Sequence, residues 1–350
     1  MLGETKLIGL GSGVLRKGQQ DSERRSGSET TKHLILLFPD AIIAAVAPFP
    51  CAHDTPTARL AEGGRKEHRG ERVANAAASA GGKADTIEPL LVADNVTLQY
   101  KTEQHLVTAT WKVGFDVYEG DRYVLLGPSG CGKSSLLKAI AGFLPPVGGS
   151  IRLAGRPIER PGSDRMMVFQ EFDQLLPWKT VLGNVMFPLV VNRRMSRATA
   201  KDHARALIAK VNLGQFENIY PHMLSGGMKQ RVAIARALAM EPAVLLMAEP
   251  FAALDALTRR KMHEELVALW EDVRFTVIFV THSIDEALLV GNRILVLSPH
   301  PGRVKAELNA GHLSFSDLGT PAFESQQRRI HGLLFADRIE TALAPEVGHG

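Results

Sequence analysis

Residues 127–135 read GPSGCGKSS, and the first eight fit the pattern G-x-x-x-x-G-K-[ST]. That spacing suits one task, holding a chain of phosphates. Gly127, Gly130 and Gly132 let backbone N–H groups converge on phosphate oxygens, with Pro128, Ser129 and Cys131 as the intervening loop. The helix expected to follow adds the positive end of its dipole. Lys133 supplies a point charge for the terminal phosphates. Ser134, followed by Ser135, offers a hydroxyl to Mg2+, which prefers oxygen ligands and retains several waters. The competing reading is a glycine-rich turn without a ligand, and the strand–loop–helix context weighs against it. Cys131 occupies a free position of the loop, which backbone geometry explains better than thiol chemistry.

Two further stretches carry polar groups where chemistry is placed. LSGGMKQR, Leu224–Arg231, puts Ser225, Gly226 and Gly227 at a predicted helix start, a second phosphate-seeking structure. Alone it could be only a helix cap. One chain rarely needs two cradles for one triphosphate, but a head-to-tail dimer does, each nucleotide lying between one copy's loop and the other's Ser225–Gly227. AVLLMAEPFAALD, residues 243–255, is an apolar run without alternation, as in a strand buried on both faces of a parallel sheet. One carboxylate, Glu249, stands at the strand end, the edge where α/β proteins place their chemistry.

The elements that must position these groups follow from period and punctuation. LLVADNVTLQY and TWKVGFDVYEGDRYVLLG alternate as strands do, with Gly120-Asp121 as a turn. LLKAIAGFL has helical spacing, GGSIRLAGRPI resembles a hairpin, and MMVFQ is a short strand. Ser196 can cap a helix through RATAKDHARALIAKV. GGMKQRVAIARALAM, TRRKMHEELVALWED and SIDEALLV read as helices between the strands AVLLM, FTVIFV and RILVLS. Strands separated by helices at these intervals imply an α/β protein with a mainly parallel, helix-covered sheet. The tail, with FESQQRRIHGLLFADRIETAL, is expected to pack one amphipathic helix back on the domain.

Residues 1 to about 88 differ. They are rich in Gly, Ser, Arg, Glu and Ala and hold no sustained period, which is expected of disorder or a loose extension. The first residues lack the apolar core of a secretory signal. HLILLFPDAIIAAVAPFP, residues 33–50, is broken by Pro39 and Asp40, so no membrane span is expected there or elsewhere. The 350 residues are 45% apolar and 22% charged, with a net charge of +4 and acids interspersed among bases. That is not the stripe of a dedicated nucleic-acid binder. Cys51 and Cys131 lie far apart, form no metal pattern and fit a reducing compartment.

With these residues in hand, the chain resembles the ATP-binding subunits of ABC transporters over about residues 90–305. LSGGMKQR resembles the family signature, Gln170 in VFQEFDQLLPW the Q-loop glutamine, AALD ending at Asp255 the D-loop, and His282 in VTHSIDEA the switch histidine. Tyr100 is placed to stack on adenine. More narrowly, QEFDQLLPWKTVLGNV, YPHMLSGGMKQRVAIARAL and DALTRRKMHEEL resemble the nitrate/sulfonate/taurine-type import ATPases. Each carried-over role has a plainer rival. His282 could be a core histidine, Tyr100 ordinary packing, and Gln170 a strand-end cap.

The resemblance implies a P-loop NTPase fold with a parallel core sheet, an antiparallel β subdomain and a helical signature subdomain. It assigns residues 89–310 to the ATP-binding domain, 1–88 to an extension and 311–350 to the tail. It implies ATP and Mg2+ as cofactors, with Ser134 and Gln170 as metal ligands and Glu249, His282 and Gln170 as catalytic groups. The implied partners are a second copy, transmembrane permease subunits contacted through the segment ending near Val191, and indirectly an external substrate-binding protein. The implied place is the cytoplasmic face of the membrane, and the implied cargo a small oxyanion. One departure stands out. The family normally ends the strand before Glu249 with Asp-Glu, whereas here it is Ala248-Glu249. Alanine neither accepts hydrogen bonds from a metal's waters nor adds charge, so slowed hydrolysis with ATP binding retained is expected.

Overall fold

β3 (Arg122–Leu126), β7 (Val244–Ala248), β8 (Val277–Thr281) and β9 (Arg293–Leu297) bury nearly every side chain, not every second one. A strand does so when both faces of its sheet are covered. In the computed structural model, which describes residues 88–101, 105–192 and 194–343, both faces are. All of these residues lie within one compact unit, Ala47–Gly350. The expected extension, the 33–50 run and Cys51 lie outside the described residues.

The strands pair in the order β10-β9-β3-β8-β7-β6, with β6 at Arg165–Val168 and β10 at Val304–Asn309. Only β10, antiparallel to β9, departs from the parallel arrangement. Alternate side chains of each strand feed opposite cores. Leu125, Leu246, Ile278 and Leu295 join Leu136 and Ile140 of α1 (Lys133–Ile140) on one face. Val124, Met247, Phe279 and Ile294 face the other core, among the remaining helices. Burying an aliphatic side chain of this size contributes about 1.5–3 kcal/mol, so the two cores dominate the stability of the sheet.

The first core is closed by an antiparallel sheet in the order β2-β1-β4-β5, with β1 at Leu91–Lys101, β2 at Leu106–Val117, β4 at Gly148–Leu153 and β5 at Arg156–Pro157. The second is covered by α2 (Val181–Val191), α3 (Arg197–Lys210), α4 (Gly226–Leu238), α5 (Ala256–Val273) and α6 (Ile284–Val290). Polar side chains set the helix starts. Ser196 accepts from the Thr199 N–H, Asp255 from that of Thr258 and Ser283 from that of Glu286. α5 stops at Arg274, whose left-handed backbone turns the chain into β8.

Two elements were not legible beforehand. α2 has no readable helical period in the sequence, because Pro188 inside it and a nearly all-apolar composition hide it. β10 follows a proline-rich turn and shows little alternation in its burial. The tail helix forms as α7 (Pro321–Leu343), burying Phe323, Ile330 and Leu334. It rests on α6 and β9, and Gln327 donates to the Asp285 carboxylate at 2.7 Å. No helix among the described residues is long and apolar enough to cross a membrane.

Candidate functional site

The strand order β3-β8-β7-β6 determines which loops become neighbours. Leu126 pairs with Thr281, Val280 with Ala248, and Met247 with Val168. The segments that leave these strands therefore emerge side by side from the carboxyl edge of the sheet: Gly127–Ser135, His282, Glu249 and Gln170. Residues separated by up to 155 positions in sequence become a row, at the edge where parallel sheets bind ligands.

The glycine loop is shaped by close approach. Gly132, at φ 89°, lies where a Cβ would come within 2.6 Å of both the Ala109 carbonyl oxygen and Thr110 Cγ2. Gly130 is also left-handed, at φ 80°, but faces open space. Lys133 is 4% exposed, and its ammonium donates to the carbonyls of Gly127 and Pro128 at 2.7 and 3.0 Å. Ser134 is exposed at the N-terminal turn of α1, beside half-buried Ser135. Cys131 is buried within the loop, and burial pushes its thiol up. Gly132→Ala is expected to cost more than about 2 kcal/mol, combining backbone strain with a clash, and to abolish nucleotide binding. Gly130→Ala is expected to cost only about 1 kcal/mol. Urea unfolding beside a nucleotide titration checks both, and equal costs would contradict the assigned packing.

Glu249 adopts φ 45°, a conformation uncommon for any residue but glycine. Its N–H still donates to Val280 O as the strand would require, while its carbonyl accepts from the Ala252 N–H and closes a turn. This bend brings the carboxylate to the end of the neighbouring strand, where Oε2 lies 3.2 Å from Nδ1 of His282. The histidine is no core residue, since its side chain is 56% exposed. Ala248, one residue earlier, packs on the core shared with α1 and lies opposite Val280.

Gln170 is exposed just beyond β6. Its neighbour Phe169 is clamped through the backbone. Gln174 accepts from the Phe169 N–H at 3.2 Å and donates to its carbonyl at 2.9 Å, and Gln230 of α4 donates to the same carbonyl at 3.1 Å. Arg236 of α4 donates to Gln174 O at 2.8 Å, and burial pushes its guanidinium down to about 10. Sequence reasoning missed Gln174 and Gln230. The available signal was that Gln230 stands on the apolar-facing side of its helix, where it is fully buried. A third missed residue is Asn184, also fully buried. It exchanges hydrogen bonds with Leu176 and donates to Lys179 O, shaping a loop that leaves Trp178 69% exposed.

Ser225 accepts from the Met228 N–H at 3.3 Å and caps α4, while Gly227 lies against Thr258 of α5. The cap reading is thus realised in the single chain, with the serine still exposed. Tyr100 is half-buried on β1 and leans on the core of the antiparallel sheet.

A phosphate loop between a central strand and its helix, with polar groups at the next three strand ends, defines a P-loop nucleotide-hydrolysing cassette. Residues 111–252 match the family described as ABC transporter. The chain is 48% identical over 239 residues to the taurine import ATP-binding protein TauB of Rhizobium johnstonii, covering 65% of this chain and 89% of that protein. It is 44% identical over 215 residues to the bicarbonate transport ATP-binding protein CmpD of Synechococcus elongatus, covering 61% of this chain and 77% of that protein. Among solved structures it resembles a dimeric post-hydrolysis ATP-binding cassette bound to ADP and Pi, with TM-score 0.54 and 33% identity, covering 63% of this chain and 98% of that one. The chain belongs to the ATP-binding subunits of ABC importers, in the nitrate/sulfonate/taurine-type group, and is an ATPase.

Proposed function

We propose that two copies of this chain close around two molecules of ATP, each held by one copy's Gly127–Ser135 loop and the other's Ser225, Gly226 and Gly227. Within each site Lys133 neutralises phosphate charge, Tyr100 stacks on adenine, Glu249 orients or deprotonates the attacking water, and His282 and Gln170 contact the terminal phosphate and its surroundings. The observation that carries this reading is the Glu249–His282 contact of 3.2 Å beside the phosphate loop.

Mg2+ fits the donor set in a restricted way. Ser134 and Gln170 offer neutral oxygens, and Ala248 offers nothing, so most of the ion's oxygen ligands must come from the nucleotide and water. When bound, the ion would supply charge neutralisation on the phosphates. The same deficit supports a second reading, an ATP-binding subunit whose hydrolysis is impaired and whose role is partly regulatory.

Nucleotide closure would be transmitted to a transmembrane permease through the face that exposes Trp178. The subunit would then sit peripherally on the cytoplasmic side, served by an external substrate-binding protein. On this reading residues 89–310 form the ATP-binding domain, with an extension before it and a tail after. Likeness to taurine and bicarbonate importers supports a small oxyanion as cargo. Co-purification with a permease, followed by ATP-dependent uptake of nitrate, sulfonate, taurine or bicarbonate into proteoliposomes, tests it. Accumulation of one of these anions is expected. Purification without any membrane protein, with nucleic acid bound instead, would overturn the reading.

A further inference from the structure

Glu249 and His282 are both incompletely packed, with side chains 24% and 56% exposed, and Glu249 holds a strained backbone. The Glu249 N–H pairs with Val280 O, but among the described residues neither side chain has a hydrogen bond beyond their mutual contact. The groups that brace the segments carrying them belong to a cluster formed by Arg259 and His263 of α5 with Glu286 of α6. Glu286 and His263 are 12% and 5% exposed.

Glu286 reaches the His282 segment through one hydroxyl. Thr281 Oγ1 donates to the Glu286 carboxylate and accepts the Ser283 N–H at 3.0 Å, so the residues on both sides of His282 are tied to it. Arg259 reaches the Glu249 segment. Its guanidinium donates to the carbonyls of Phe251, Ala252 and Leu254 at 3.2, 3.2 and 2.8 Å, and so holds the turn that leaves Glu249. The two halves meet where Arg259 Nε lies 3.9 Å from Glu286 Oε1. His263 Nε2 is 3.3 Å from the same oxygen, an ion-pair distance without hydrogen-bond alignment, and its ring stands edge-on to Phe251 with centroids 5.2 Å apart. Burial pushes the Glu286 carboxyl up, but the contacts from His263 and the Thr281 hydroxyl outweigh it and hold the group below the usual carboxylate range. It is therefore a fixed charge at neutral pH.

We propose that Glu286, braced by Arg259 and His263, is a positioning residue for hydrolysis that locks the Phe251–Leu254 turn to the Thr281–Ser283 segment and so sets the Glu249–His282 contact. The inference rests on the reading of Glu249 and His282 as the hydrolytic pair. Small displacements of such a pair are costly, since a misplacement of about 1 Å can lower a rate by about 10²-fold.

The test compares Glu286→Ala, Glu286→Gln, His282→Ala and the Glu286→Ala/His282→Ala double variant, in the native sequence and in an Ala248→Asp background. Single-turnover ATP hydrolysis, nucleotide affinity and amide hydrogen exchange are read on each. Glu286→Ala is expected to slow hydrolysis by about 10- to 100-fold while Kd for ATP changes by less than about threefold. With His282 already removed, the further loss is expected to shrink to within about threefold. Exchange should quicken together at residues 251–254 and 281–283, and Glu286→Gln, which keeps an acceptor for Thr281, should show a smaller version of each change.

Fully additive losses, or unchanged exchange at residues 251–254, would overturn the proposal. If the alanine variant does not fold, Glu286→Gln carries the same comparison. Parental rates in His282→Ala would instead remove the hydrolytic-pair reading, and the exchange measurement would still decide whether the two segments are coupled.

Discussion

Replacing Ala248 by aspartate is expected to raise the rate of ATP hydrolysis by about 10²-fold or more, with ATP affinity little changed. Residue 248 ends β7, on the face of the sheet that α1 covers, so its side chain belongs to the same side as the phosphate loop. A carboxylate there adds negative charge and hydrogen-bond acceptors for a hydrated metal, both of which gain value as charge shifts in phosphoryl transfer. On the proposed reading, binding depends chiefly on Lys133 and on backbone N–H groups that the change leaves alone. Burying part of an aspartate against an apolar core costs about 1–3 kcal/mol, which ATP with Mg2+ should largely restore. Steady-state and single-turnover hydrolysis by the two proteins, with thermal melts in the presence and absence of Mg-ATP, provide the check. Equal rates would overturn the proposal that Ala248 slows hydrolysis.

Glu249→Gln is expected to lower hydrolysis by about 10²- to 10⁴-fold and to leave nucleotide binding intact, because an amide keeps the shape but cannot take a proton. Glu249→Gly separates chemistry from backbone strain. It should lose hydrolysis to at least the same degree yet gain about 1 kcal/mol of stability, since glycine adopts φ 45° without a Cβ penalty. Hydrolysis measured beside urea unfolding distinguishes the two effects. Undiminished hydrolysis in the glutamine variant would remove Glu249 as the base. A glycine variant less stable than the parent would show that the contact with His282 outweighs the strain. That pattern is the usual bargain at a reactive site, where local stability is given up for geometry.

Much of this was readable from residue order. The loop between β3 and α1 was legible because phosphate binding by backbone N–H groups demands glycines at particular intervals, and nothing distant is required to recognise them. The unalternating run of β7 announced a strand covered on both faces, and Ser196 and Ser225 marked helix starts through their capping side chains. Capping and periodicity are local, acting within a few residues. α2 and β10 escaped for the same reason. Pro188 and an apolar surround in one, and a weakly buried edge strand in the other, leave no local period to find.

Which residues meet was another matter. Gln170, Glu249 and His282 each stood visibly at the end of a strand, but no spacing states that β8 lies between β3 and β7. That order is settled by how the two cores fill on either face of the sheet, a many-body packing problem. From it follow the 3.2 Å contact of Glu249 with His282 and the Gln174–Gln230 clamp on Phe169. The Arg259–His263–Glu286 cluster follows as well. His263 and Glu286 sit on exposed-looking helical stretches and become buried only when α5 and α6 pack together, while Arg259 stays partly exposed at the edge of the cluster. The types of chemistry available were written in the chain, and their distances came from the order in which its strands pack.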